Sequence, residues 1–264
     1  RGGDQRQAML TSVRVRGTTS LTGGNDPLVV IDGVSSDLAT LSTVFPSDIL
    51  SFKVLKNASE TAQYGSRGAS GVILVTTAKG ARGKFSISYD GNVGFETVYK
   101  NLKMLSGRDY VATAKGLGLS VNDGGEDNDY LRAITRTGFI QNHHLAFSGG
   151  TDQSNYRASM SVMDHQMVVR TNSYRNFTAK FDLMQKAFDD WLTVNFGLFG
   201  SSLSNKKIFD TQKLFYSAAS QNPTFSTHQN ASGGWDLNTL ASQIAHPMAL
   251  LRQKDHDRGF NFNT

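Results

Sequence analysis

Six histidines, a knot of carboxylates and a run of closely spaced glycines are the residues of this chain whose chemistry could make a site. His143 and His144 are adjacent, so on a strand they point to opposite faces and cannot ligate one metal without distortion, and no HExxH spacing occurs. Asp123, Glu126, Asp127 and Asp129 crowd the stretch "NDGGEDND", but the alternate ligand spacing and terminal Glu of an EF-hand are missing, so a solvated loop is expected. Asp189 and Asp190 precede Trp191 in a segment that reads as a turn, where carboxylates shape the chain. Gly65, Gly68, Gly71 and Gly80 lie in "AQYGSRGASGVILVTTAKG" (62–80). They would cradle a phosphate only if a strand led into them and a helix followed with its free amides aimed at the anion. Here the order is reversed: residues 72–77 read as a buried strand after the glycines, so turns are what the glycines serve. The expectation is no catalytic residue, no metal and no cofactor, hence not an enzyme.

The elements that would position these residues divide near Gly80. Before it, "PLVVIDGV" (27–34) is a short strand ending in the turn pair Asp32-Gly33, and "DILSFKVLK" (48–56) is a second strand. Asn57 and Glu60 have capping-box spacing, which predicts a helix of about two turns that reaches Tyr64 and stops at Gly65. From Lys84 the pattern becomes strict alternation. Phe85, Ile87, Tyr89, Val93 and Phe95 fall opposite Ser86, Ser88, Asp90, Asn92 and Glu96, and the same split recurs at 142–149, 155–164, 176–185 and 191–201. The expected fold is a small α+β unit over residues 1–83 followed by antiparallel all-β structure over 84–264.

A soluble sandwich and a membrane barrel both alternate in this way. The connections favour the barrel: "GGTDQSN" and "KAFDDW" are tight, whereas longer stretches follow the first, third and fifth strands, and several strands reach the 9 to 11 residues that cross a bilayer at a tilt. No run of eighteen apolar residues is present, which says nothing against strands that cross. The 27 basic and 22 acidic residues are interspersed, so the +5 charge implies no nucleic acid. Cysteine is absent, which rules out disulfides and thiolate metal sites.

The blocks "PLVVIDGV", "DILSFKVLKNASETAQYGSRGASGVILVTTAKG", "HHLAFSGGTDQSNYRASMSVMDHQ" and "YRNFTAKFDLMQKAFDDWLTVNFGLFGS" resemble successive signature blocks of the SusC/RagA class of TonB-dependent outer-membrane transporters. "SQNPTF" and "HPMALLRQ" resemble a downstream loop of the same class. The resemblance implies a plug domain (residues 1–83) inside a 22-stranded transmembrane barrel that begins at residue 84 and carries long extracellular loops. It also implies import of a bulky nutrient, oligosaccharide or oligopeptide, across the bacterial outer membrane. The partners it implies are a SusD-like surface lipoprotein, outer-membrane lipid and the TonB energy-transducing complex. Against that pattern the chain lacks the amino-terminal coupling box and most of the strands, so it reads as a fragment. The matching plug positions are Asp32, Gly33, Tyr64, Gly65, Gly68 and Gly71, read as structural, with Lys79 beside them. Arg14, Arg16 and Arg67 are candidates either for cargo contact or for pairing with carboxylates such as Asp48 or Glu60. The alternative function is a surface glycan-binding or adhesive β-domain without transport.

Overall fold

The computed structural model describes residues 26–80 and 83–263. The chain first builds a small sheet in which β1 (Leu28–Ile31) turns through Asp32 and Gly33 into β2 (Val34–Ser36). Both turn residues have positive φ, 49° and 89°, the conformation that the twist of a two-residue hairpin demands. α1 (Leu38–Thr43) follows, started by the Asp37 side chain, which accepts from the Thr40 amide at 2.7 Å. The hydrogen bonds from Thr40 hold the Asp37 carboxyl below its ordinary range. A 3-10 turn (Pro46–Asp48) then enters β3 (Ile49–Leu55), and α2 (Ala58–Thr61) continues as 3-10 turns to Gly68 before β4 (Val72–Thr77).

The order in this sheet is β2-β1-β4-β3, with β1 and β4 parallel, so both faces need cover. Leu38 and Leu41 pack on Val29, Ile73 and Val75 from one side. On the other side lie Leu28, Val30, Leu55 and Val72, with Tyr64 packed against them. The glycines serve this packing. Gly65 sits at φ 60°, ψ −151°, where a side chain would strain the backbone, and a Cβ on Gly68 would stand 2.8 Å from the Thr61 carbonyl. Two local readings need correction. Asn57 occupies the N-cap of α2 but makes no side-chain capping bond, and α1, too short and too rich in Thr to show periodicity, was not foreseen.

After Gly80 the chain forms a six-stranded antiparallel sheet. In chain order it contains β5 (Gly83–Glu96), α3 (Gly107–Gly116), α4 (Tyr130–Ile134), β6 (Gly138–Gly150), β7 (Ser154–Gln166), β8 (Ser173–Ala187), β9 (Leu192–Ile208), α5 (Thr211–Ser220), α6 (Pro247–Leu250) and β10 (Lys254–Asn263). Each strand pairs with the next, so the order β10-β9-β8-β7-β6-β5 is a plain meander. The turns after β6 and β8 are tight; the connections after β5 and β9 are long and carry the helices, all four of them at one end of the sheet. The connection after β7 is short, contrary to expectation, because β7 and β8 run on to Gln166 and from Ser173. β10 was also not foreseen, since its first half carries charges on both faces.

The burial of the large sheet is inverted relative to a soluble sheet. Its polar face is covered: Asn176 is 1% exposed, His144 2% and Thr178 4%. Its apolar face is open, with Ile87 59% and Phe95 74% exposed. The alternation read from the sequence is therefore real, and the polar side is the inner one, as the barrel reading expects. Where the long connections meet, α4, α5 and α6 bury Tyr130, Leu131, Ile134, Leu214 and Leu250 against Val169 and Ile208, a separate core over that end of the sheet. Among the described residues no helix is long and apolar enough to cross a membrane.

Candidate functional site

The small sheet docks on the polar face of the large one, and the seam is built from ion pairs. Pro46 starts the 3-10 turn that swings Asp48 toward the large sheet. There Asp48 accepts from Arg157 Nη2 at 3.1 Å and from Ser159 Oγ at 3.0 Å, and His144 Nε2 stands 3.0 Å from the same carboxylate. The His144 contact is an ion-pair distance without the alignment of a hydrogen bond. The Phe45 ring lies on the His144 imidazole, centroids 4.9 Å apart and nearly parallel, which fixes the histidine's plane. The Asp48 side chain is only 6% exposed, so its charge depends on these partners.

A second pair closes the other side of the seam. Asp32, at the hairpin tip, accepts from the Thr77 amide at 2.9 Å, from the Thr77 hydroxyl and from Lys180 Nζ at 3.2 Å. Lys180 also reaches Asp182 at 2.9 Å. Burial opposes the ionisation of Asp32, but the two bonds from Thr77 and the Lys180 charge outweigh it and hold the carboxyl below its ordinary range. Two further hydrogen bonds complete the seam: Asn176 Nδ2 donates to the Thr43 carbonyl at 3.1 Å, and Ser47 Oγ to the Asp90 carboxylate at 2.5 Å. At the exit of the small sheet a Cβ on Gly80 would meet the Tyr156 backbone at 2.5 Å, so only glycine lets the chain pass this close.

Between the two pairs lies a cavity of about 330 Å³, bordered by Asp32, Asp48, Lys79, Lys180 and Asp182 with Phe199 opposite. Its walls are largely apolar, among them Ile31, Val44, Leu183 and Phe196, with charges of both signs at its border, an arrangement that leaves the two surfaces incompletely packed and free to part. Among the described residues no group of three His, Asp or Glu could hold a metal. The acidic stretch 123–129 instead shapes its own loop: Asp127 accepts from the Gly107 amide at 2.6 Å and Asp129 caps α4.

Of the residues singled out from the sequence, the structure brings Asp32, Asp48, Lys79 and His144 to the seam. Gly33, Gly65 and Gly71 adopt positive φ, Gly68 is packed and Tyr64 supports the core beneath them. Arg67 is exposed beside Asp26 and Asp37 and does not reach Asp48, whose partners lie in the large sheet; Arg14 and Arg16 lie outside the described residues. His144 was weighed from the sequence as a metal ligand, and Arg157 and Lys180 fell, with no role assigned, within the alternating stretches 155–164 and 176–185. The signal that could have found them is that ionisable side chains on the inner face of a wall need partners there.

A second polar assembly lies in the long connections. Tyr130 donates to the Phe225 carbonyl at 2.9 Å and meets His246 edge-on, His246 is stacked on Trp235 with centroids 4.7 Å apart, and Arg252 lies over the Trp235 ring. Burial pushes the Tyr130 hydroxyl up, helped by the charges of Glu126 and Asp236. Burial likewise pushes His246 down, only partly offset by a bond to the Ser226 backbone and by Asp236.

With this geometry in hand, comparison with known proteins is informative. The family described as "TonB-dependent Receptor Plug Domain" matches residues 3–72. The "TonB-dependent receptor SusC" of Bacteroides thetaiotaomicron is 41% identical over 194 residues, 69% of this chain and 19% of the relative. "TonB-dependent receptor P3" of Formosa agariphila is 32% identical over 257 residues, 93% of this chain and 25% of the relative. The chain thus spans about a fifth to a quarter of the length of the curated relatives it matches. Among solved structures, the RagAB peptide importer in its closed-closed state matches with a TM-score of 0.73 over 95% of this chain and 34% of that chain, at 20% identity. Its open-open state matches with a TM-score of 0.64 over 74% and 26%, at 24% identity. At these identities the structural matches speak for the fold alone.

Proposed function

We propose, for a chain that belongs with the SusC/RagA-type TonB-dependent receptors, that it forms the plug and the adjoining barrel wall of an importer in the bacterial outer membrane. Residues 1–83 are the plug and residues 84–264 the start of a 22-stranded barrel. The observation that carries this reading is the inverted sheet: a polar face covered by the small sheet and an apolar face left open, the arrangement of a wall with lipid outside and water or plug inside. The cargo is a bulky nutrient, oligopeptide or oligosaccharide, taken up without bond chemistry. A SusD-like lipoprotein caps the long-connection end, and the TonB complex pulls on the plug.

The seam suits that work. Two carboxylates of the plug, Asp32 and Asp48, are held by side chains of the wall, so the resting plug is in register and sealed. A pull that draws β1 and the 46–48 turn off the wall parts both pairs together. The cavity between them lets water enter to solvate the separated charges, which lowers the cost of opening. Glycines at Gly65 and Gly68 keep the plug's own turns compact while it moves.

The test uses the absence of cysteine from this chain, any cysteine elsewhere in the gene being replaced with serine. Ser47→Cys and Asp90→Cys, expressed in the protein's own gene and joined by a short thiol-reactive cross-linker, tie the plug to the wall where their side chains now touch. In a strain deleted for the gene, the unlinked protein restores growth on its cargo, supplied in parallel as oligopeptides and as oligosaccharides, and the linked protein does not. Undiminished uptake through the linked form refutes gating at this seam, and restoration on neither cargo refutes import.

A further inference from the structure

We propose that the outward face of the large sheet carries, at its long-connection end, a binding site for the phosphorylated headgroup of an outer-leaflet lipid. The proposal rests on the membrane placement put forward above. Its basis is the sorting of charge by face on β8, β9 and β10. Arg175 and Arg258 flank Ser204 from either side, one residue pair in register with each, and Lys206 sits opposite His256 one step further out. All four side chains lie on the apolar face and are exposed. The acids of β10 lie on the other face, where Asp255 and Asp257 meet Lys207 at 3.9 and 2.9 Å. The outward group therefore holds three fixed cations and a histidine against one acid, Asp164, which accepts both Arg175 Nε at 3.1 Å and Nη2 at 2.6 Å.

Like charges on adjacent strands repel, and nothing of this sheet's core requires them there. An anion bound between them relieves that repulsion. Arg175 and Arg258 are two strand spacings apart, about 10 Å at the backbone, with Ser204 between them; Arg175 leans to Asp164 on β7, which leaves Arg258 and Lys206 to meet a group of phosphate size beside Ser204. His256 is already turned inward to this spot, with Nε2 3.0 Å from Ser204 Oγ and 3.4 Å from Arg258 Nε.

The height of the cluster identifies the source of the phosphate. Leu192, Val194, Phe196 and Leu198 begin an apolar band on β9 that is continued outward by Phe262 and Phe260 on β10, Phe177 on β8 and Val162 on β7. From Leu192 to Ser202 is ten residues, about 34 Å of strand, which at a tilt of roughly 40° spans about 26 Å along the normal. An outer-membrane barrel wears an apolar band of about 25 Å. The next row outward is Ser204 with its two arginines, so the cations stand at the headgroup level of the outer leaflet, their stems along the band and their charges above it.

The experiment uses the protein expressed from its own gene, purified into phosphatidylcholine nanodiscs doped with bis-phosphorylated lipid A or with its dephosphorylated form. Wild type is expected to retain the phosphorylated lipid preferentially. Lys206→Gln and Arg258→Gln should each weaken that binding about fivefold and the double variant on the order of 30-fold, while Lys207→Gln on the opposite face should leave it unchanged. The single variants keep the test decisive should the double one fail to insert. Equal retention of both lipids, or no effect of the substitutions, overturns the lipid site. So does displacement of the lipid by millimolar inorganic phosphate, which marks a free-anion site. Wild-type protein that fails to fractionate with the outer membrane overturns the membrane placement, and the lipid site with it; correct fractionation without phosphate discrimination overturns the lipid site alone.

Discussion

Replacing Asp48 with Asn removes one charge and almost no volume, so its effect measures the electrostatic hold of the wall on the plug. In the wild type the carboxylate meets Arg157 at 3.1 Å with both side chains largely buried, 6% and 13% exposed, and Ser159 at 3.0 Å. Asn keeps an acceptor for Ser159 but leaves the Arg157 guanidinium buried without its counter-charge. Removing one partner of a buried pair costs about 3–5 kcal/mol, and the residual exposure of Arg157 argues for the lower end, about 3 kcal/mol. If β3 opens from the wall as a unit, that loss raises its amide exchange on the order of 100-fold. Exchange is read by mass spectrometry on the protein in detergent, with Arg157→Gln and the double variant completing a cycle. The double variant should cost less than the two singles together by more than about 1 kcal/mol. As a contrast, Asp164→Asn breaks a pair whose arginine side chain is 68% exposed and should slow or speed nothing in β3. Exchange in β3 within twofold of wild type for Asp48→Asn, or a strictly additive cycle, would refute the claim that this pair holds the plug.

Cysteines at Ile87, Val93 and Phe95 should resist water-soluble thiol reagents in the intact outer membrane while those at Ser86, Ser88 and Asn92 label; equal labelling would sink the lipid-facing assignment of β5. Gly68→Val places its Cβ 2.8 Å from the Thr61 carbonyl and should destabilise the plug by about 1–3 kcal/mol, seen as lost thermal stability and yield with no change in a nucleotide's effect on melting. Because Asp32 has a depressed folded pKa, its contribution is complete above the ordinary carboxylate value near 3.8 and is lost as pH falls through the folded value; Asp32→Asn should flatten this acid limb of plug unfolding. His246 shifts the same way for the opposite reason, since the fold prefers its neutral form. The loop layer should loosen as pH falls below about 6.5, read by exchange in α4, and His246→Gln should remove that dependence.

The sequence by itself determined what is local. Alternation sorts Phe85, Ile87 and Tyr89 from Ser86, Ser88 and Asp90 because successive side chains leave a strand on opposite faces, whatever the rest of the chain does. Asp32-Gly33 makes its turn, and Gly65 and Gly71 take positive φ, for reasons contained within a few residues. Which face is inside is not local. It follows from the docking of the small sheet, which covers His144, Asn176 and Thr178 and leaves the apolar side open. The partners of Asp48 are 96 to 111 positions away along the chain, and no spacing rule pairs a 3-10 turn with the middle of β6 and β7. The same limit concealed α1, held by one cap and by burial of Leu38 and Leu41, and β10, whose charged alternation becomes a strand only once β9 supplies its hydrogen bonds. Periodicity belongs to the covalent chain; ion pairs and edge pairing belong to surfaces that exist only after the chain has folded.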